Sequence, residues 1–195
     1  MQWQEPIILA SASPRRAELL SQSGIASVPM PPDCDDGVFR CGTMPVNRWV
    51  QSLAVLKAQH VLGRCSDNGT VLAADTVCVV DGQILGQPRH VEDARNMLQI
   101  MMNRSHDVYT GWCLCSVDGQ QLLCGYECSE IIIGSIDEQE IDKYLCSDDW
   151  KGKAGAYNLS ERIAAGWPVT CNGDPTSVMG LPMIRLKQEL SRGLQ

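Results

Sequence analysis

At 195 residues the chain is long enough for one well-filled domain, and 44% hydrophobic with 20% charged residues is ordinary for a soluble globular protein. Sixteen basic against 23 acidic side chains give a formal net charge of -7, which argues against a general nucleic-acid binder with a broad basic face. No apolar run approaches the roughly 18 residues of a membrane span. Met1 to Glu5 lacks the basic start of a secretory signal, so a cytoplasmic location is expected.

The ten cysteines include no C-x-x-C pair, which leaves a zinc site unsupported. Without a secretory signal they are expected to be reduced. Cys78, Cys113 and Cys115 lie inside apolar runs, where thiols act as small core side chains.

In chain order, Ile7-Ile8-Leu9-Ala10 reads as a buried strand and Ser11-Ala12-Ser13 as a turn. A helix follows from Pro14 to Ser23, with Ser13 as N-cap, Pro14 where a missing N–H is tolerated, and Gly24 as the stop signal. Arg15 and Arg16 fall in its first turn, where the macrodipole is already positive and disfavours cations. Two arginines beside the N–H groups of a helix start suit an anion, phosphate above all. Two solvated arginines on a surface helix are the plainer alternative, which the strand, Ser-x-Ser turn and helix start together outweigh. Ser11, Ser13, Arg15 and Arg16 are therefore candidate phosphate ligands.

Pro29 to Gly37 is a proline-rich extended stretch in which Asp33, Asp35 and Asp36 suit a solvated turn or a divalent cation. Pro45 to Leu62 reads as a long helix whose buried face carries Val46, Val50, Leu53, Ala54 and Val61. Lys57 falls on that face, where it either snorkels outward or projects into a cleft.

Gly69 to Gly82 is a near-continuous apolar strand of the kind buried on both faces, and Asp75 interrupts it. A buried carboxylate must meet a cation, open into a cleft or stay protonated. Backbone hydrogen bonding in the core is the structural alternative, and a functional site is the stronger reading. Asp81-Gly82 is a two-residue hairpin signal leading into Gln83 to Gly86.

Val91 to Met102 is a helix with a core stripe of Val91, Ala94, Met97, Leu98 and Met101. Ser105 to Cys115 starts a strand that Asp118-Gly119 turns back into Gln120 to Ile133. Asp137 to Ser147 is an amphipathic helix, and the small residues of Lys153-Ala154-Gly155-Ala156-Tyr157 permit close backbone approach to a ligand. The last helix reaches about Leu190 and reads as packing. The two hairpins exclude an all-parallel sheet.

Ser11-Ala12-Ser13-Pro14-Arg15-Arg16 with Glu18-Leu19-Leu20, Lys57-Ala58, Ala74-Asp75-Thr76-Val77, His106-x-Val108-Tyr109-Thr110-Gly111, Lys153 to Tyr157 and Gly173 to Pro182 form six ordered motifs over residues 7 to 190. Together they resemble the Maf family of nucleotide pyrophosphatases, which is also linked to septum formation. Asp35-Asp36 matches that family's Asp-Glu with a shorter second acid. The resemblance implies an α/β fold with a long mixed sheet flanked by helices, similar to inosine triphosphatases, in one domain (1–195) of two lobes with a central cleft.

The resemblance also implies hydrolysis of a nucleoside triphosphate to the monophosphate and pyrophosphate, with a divalent metal cation, Mg²⁺ or Mn²⁺, as cofactor. Asp75 is then the catalytic carboxylate and Lys57 faces the triphosphate. Ser11, Ser13, Arg15, Arg16, Asp36, Thr76 and Gln87 bind substrate, and Asp75 with Asp36 holds the metal. Tyr109 and Thr110 are expected near the site as support. The family implies a homodimer, and neither nucleic acid nor membrane is expected as a partner.

Two departures stand out. Gln87 replaces a family lysine that contacts phosphate, and a neutral amide contributes no charge to the transition state; Arg89 is a possible compensating cation. Asn158-Leu159-Ser160-Glu161 replaces Gly-Ile-Gln-Gly, whose glutamine lies on the base-recognition side in the pyrimidine-preferring branch. Asp174-Pro175 is closer to the branch acting on 7-methyl-GTP, so the expected substrate is of the dTTP/UTP type or the 7-methyl-GTP type. The alternative function is a nucleotide-binding regulator that has lost catalysis. A haloacid-dehalogenase-type phosphatase fails because residue 77 is Val where its second Asp belongs.

Overall fold

The computed structural model describes residues 3–34, 39–65 and 68–192. The first apolar run forms β1 (Ile7–Ala10), all four residues buried. It pairs in parallel with β2 (Ser27–Pro29) on one side and with β3 (Thr70–Val80) on the other. Parallel neighbours need crossover connections. Helix α1 (Pro14–Gln22) lies in the link from β1 to β2, and α2 (Val46–Leu62) in the link from β2 to β3.

The Asp81-Gly82 turn then sends β3 back into β4 (Gln83–Leu85), with Val80 opposite Gln83. Helix α3 (Val91–Met101) leads to the two long strands β5 (Arg104–Ser116) and β6 (Leu122–Ile133). Helix α4 (Glu138–Cys146), a short α5 (Leu159–Ala164), strand β7 (Val169–Asn172), α6 (Pro175–Val178) and α7 (Met183–Arg192) complete the order. The seven-stranded sheet runs β2-β1-β3-β5-β6-β7, with β4 on β3, and combines parallel and antiparallel pairs. This is the expected mixed α/β architecture.

The chain divides into two compact units. One comprises Met1–Asp75, Thr110–Glu127 and Gly180–Gln195, and the other Thr76–Tyr109 and Cys128–Met179. Within the first, α2 covers one sheet face, where Ala54, Ala58 and Val61 pack on Ile8, Ala10, Val71, Ala73, Cys113 and Cys115. The alanines and cysteines among them are small, which lets the helix approach the strands closely. Within the second, Leu98, Met101, Ile131, Ile133, Tyr144, Trp150 and Trp167 share one core.

Element ends differ from the expected ones by one or two residues, as fraying ends do. Helix α1 stops at Gln22, α3 at Met101 and α4 at Cys146. β6 begins at Leu122 because the Ser116 amide bonds the Gln121 carbonyl at 3.0 Å and closes the turn there. Val91, expected on the buried stripe of α3, is exposed; as the first helical residue it precedes the turn that buries Ala94, Leu98 and Met101.

Candidate active site

The parallel register of β1 and β3 sets Ala10, the last residue of β1, opposite Ala73, so their pairing ends there while β3 runs on through Asp75. Open α/β sheets bind ligands at such ends. Ser11, the first residue beyond β1, is 5% exposed. Its Oγ accepts from the Ser13 amide and from Arg16 Nη1, both at 3.1 Å. Arg16 Nε in turn donates to the Gly180 carbonyl at 2.9 Å. Ser11 therefore folds the Ser-x-Ser turn and holds one of the two arginines.

Gly180 has φ +114°, and a Cβ there would stand 3.1 Å from Arg16 Nε, so the close approach depends on glycine. Ser13 occupies the N-cap position, but its hydroxyl makes no capping bond among the described residues; its amide turns to Ser11 instead. Arg15 Nη1 meets Glu18 Oε2 at 2.9 Å on the exposed side of α1.

Side-chain alternation puts Val71, Ala73 and Asp75 on the β3 face that α2 covers. Lys57 lies on α2 just before Ala58, and its Nζ stands 2.5 Å from Asp75 Oδ1. The two side chains are only 12% and 11% exposed. Lys57 thus neither snorkels outward nor packs its charge on apolar groups: it supplies the cation that a buried carboxylate requires. Strand β5 fixes how near α2 comes. A Cβ on Gly111 would lie 2.3 Å from both the carbonyl carbon and oxygen of Val50, so the helix backbone sits directly on that glycine.

The other proposed ligands are placed as follows. Thr76 follows Asp75 and is half-buried. Gln87 is exposed, next to Gly86, whose carbonyl accepts from the Gly155 amide at 3.0 Å. Asp36 lies outside the described residues. The first unit therefore brings together Ser11 with Arg16, and Lys57 with Asp75, at one end of the β1/β3 pair. Gly111 and Gly180 are the contributors that motif reading passed over as individuals, since a glycine signals its role only through the neighbour it admits.

The second unit buries a polar pair. His106 Nε2 and the Tyr157 hydroxyl are 2.8 Å apart, at 3% and 5% exposure. Burial pushes the imidazole down to about 4 and raises the phenol, so at neutral pH both are uncharged. The altered segment 158–161 has a local structural use here. Asn158 Oδ1 accepts from the Glu161 amide at 3.2 Å and caps α5, while Glu161 pairs with Lys153.

A family model described as Maf-like protein matches residues 6–193. The chain belongs to the Maf-like family. Among its Maf-like relatives, a dTTP/UTP pyrophosphatase of Rhodopirellula baltica is 37% identical over 95% of this chain and 81% of that protein. Proteins of the same description from Ruminiclostridium cellulolyticum and Agathobacter rectalis are 33% and 35% identical, each over 95% of this chain, covering 95% and 96% of those proteins. A solved nucleoside-triphosphatase / dITP/XTP pyrophosphatase from Mycobacterium abscessus overlaps 67% of this chain and 74% of that one at 16% identity and a TM-score of 0.42, too slight a likeness to bear on the site.

Proposed function

We propose that this chain hydrolyses a nucleoside triphosphate to the monophosphate and pyrophosphate. The carrying observation is the Lys57–Asp75 pair, 2.5 Å apart, beside the end of the β1/β3 pairing, beyond which the Ser11–Arg16 turn begins. The Maf-like relatives, named dTTP/UTP pyrophosphatases, support thymidine and uridine triphosphates as the first substrates to test. Asp174-Pro175 and the altered 158–161 segment keep 7-methyl-GTP as the second.

In this reading Ser11, Ser13, Arg15, Arg16 and the start of α1 hold phosphate oxygens. Lys57 exchanges its carboxylate partner for a phosphate oxygen as charge develops there. Asp75 orients the water that attacks the α-phosphorus and takes its proton. Thr76 and Gln87 add neutral hydrogen bonds.

Hard divalent ions such as Mg²⁺ or Mn²⁺ take oxygen ligands, and Mg²⁺ commonly uses one or two carboxylates with substrate phosphates and water. The Asp75 carboxylate suits that donor set, with Asp36 as the second ligand. Among the described residues, Asp75 included, no group of three His, Cys, Asp or Glu side chains gathers for a metal. The ion, when bound, neutralises charge on the phosphates. Among the described residues no helix is long and apolar enough to cross a membrane. A cytoplasmic homodimer with no nucleic-acid partner completes the reading.

The deciding experiment is pyrophosphate release from dTTP, UTP, CTP, GTP and 7-methyl-GTP with Mg²⁺. Release from one or more, absent without the ion, is expected. Tight nucleotide binding with no release from any would favour the second reading, a nucleotide-binding regulator, for which the neutral, exposed Gln87 speaks.

A further inference from the structure

Among the described residues no disulfide joins any of the ten cysteines. Two of them face each other across the hairpin of β5 and β6. The Ser116 amide donates to the Gln121 carbonyl and the Gln121 amide to Ser116 Oγ, which sets 116 opposite 121 where the hairpin closes. Counting back from it sets Trp112 opposite Gly125. The contact agrees, because a Cβ on Gly125 would lie 2.6 Å from Trp112 Cζ2. The same register sets Cys113 opposite Cys124, at a position without hydrogen bonds between the pair.

Opposed residues at such positions have Cα atoms about 4.5 Å apart and side chains on the same face. A disulfide needs about 4.4–6.8 Å between Cα atoms. Cys115, by contrast, faces Leu122 and is diagonal to Cys124, at roughly 7–8 Å. The two opposed thiols differ in access. Cys124 is exposed and Cys113 is 0% exposed, its ionisation held back by burial and by the thiols of Cys115 and Cys124 nearby.

We infer that Cys113 and Cys124 form a reversible thiol–disulfide couple, with Cys124 as the thiol that meets a peroxide and Cys113 as the one that resolves it. The Cys124 sulfur attacks a peroxide oxygen; the O–O bond breaks, hydroxide leaves, and a sulfenic acid remains. The Cys113 sulfur then attacks the Cys124 sulfur. The S–S bond forms, the S–O bond breaks, and the oxygen departs as water with the Cys113 proton. In sum, two thiols lose two electrons and two protons, and one peroxide becomes two waters.

The couple bears on the candidate site through α2. Cys113 packs in the cluster with Ala54 and Ala58, which flank Lys57 along the helix, and Gly111, two residues before it, carries the Val50 backbone. Drawing the Cys113 sulfur towards Cys124 removes it from that seat. This consequence rests on the proposed hydrolysis; the disulfide itself does not.

The test treats reduced protein with hydrogen peroxide, alkylates the remaining thiols and maps peptides by mass spectrometry. A Cys113–Cys124 link, two hydrogens lighter and reversed by dithiothreitol, is expected in the wild type and in Cys115→Ala, and no link in Cys124→Ser or Cys113→Ala. If Cys113→Ala does not fold, the wild-type map against Cys124→Ser decides. A wild type in which Cys124 goes on to sulfinic acid or pairs with another thiol overturns the couple. Oxidised wild type should release pyrophosphate several-fold more slowly until reduced; full turnover in the linked protein overturns the connection to α2.

Discussion

Lys57 and Asp75, 18 residues apart in the chain, meet at 2.5 Å on the sheet face covered by α2. Neither charge is tolerable alone in so enclosed a position, and each explains the other. The small side chains of Ala54, Ala58, Ala10 and Ala73 bring helix and strands near enough for the two to touch.

Asp75→Asn keeps the shape of the site but removes the charge that orients water. Turnover should fall by about 10²–10⁴-fold while nucleotide affinity is largely kept. Pyrophosphate release and titration calorimetry measure the two separately. Wild-type-like turnover would remove Asp75 from the mechanism.

Lys57→Met leaves the Asp75 carboxylate enclosed without its cation, at a cost of about 3–5 kcal/mol in unfolding free energy. Adding Asp75→Leu replaces the pair by apolar groups, and stability should return to near the wild-type value with no return of activity. Urea titrations of the single and double variants check this. A double variant as unstable as the single one would mean that the loss does not come from an unpaired charge.

Gly111→Ala places a methyl 2.3 Å from the Val50 backbone, which a rotamer change cannot relieve. We expect a destabilisation of about 3 kcal/mol together with reduced turnover, because α2 carries Lys57 away from Asp75 as it shifts. Thermal unfolding and initial rates report both. A fully stable Gly111→Ala protein would show that the helix has room to move.

His106 makes stability depend on pH. Its folded pKa of about 4 lies below the ordinary 6.5, so between these values the unfolded chain binds the extra proton. Its contribution is complete above about pH 6.5 and is lost as pH falls towards about 4, a total of roughly 3 kcal/mol. In His106→Gln the difference in unfolding free energy between neutral and acid pH should shrink by about 3 kcal/mol. An unaltered difference would assign the acid sensitivity to other groups.

Gln87→Lys restores the cation found at this position in the family pattern. If Gln87 is a weakened phosphate contact, kcat should rise several-fold with the salt sensitivity of KM. An equal or lower rate would mean that the surrounding residues are built for glutamine.

Local signals were enough for much of this molecule. The strand of four apolar residues, the Ser-x-Ser turn and Pro14 start a helix whatever lies around them, and the register of α1 differs from expectation only at its end. Asp75 announces itself because a lone carboxylate in an apolar strand is costly wherever that strand is buried. What the sequence left open, or attributed to the wrong atoms, depends on partners far along the chain. The period of α2 puts Lys57 on the covered face but cannot say what it meets; the packing of Ala58 on β3 does. Ser13 has the residue type of a cap, yet the turn is held through Ser11, Arg16 and the carbonyl of Gly180, 164 residues from Arg16. Helix and strand periods are written in neighbours three, four or two residues away. Strand register and helix seating decide which distant side chains face each other, and those contacts make the Lys57–Asp75 pair and set Cys113 opposite Cys124.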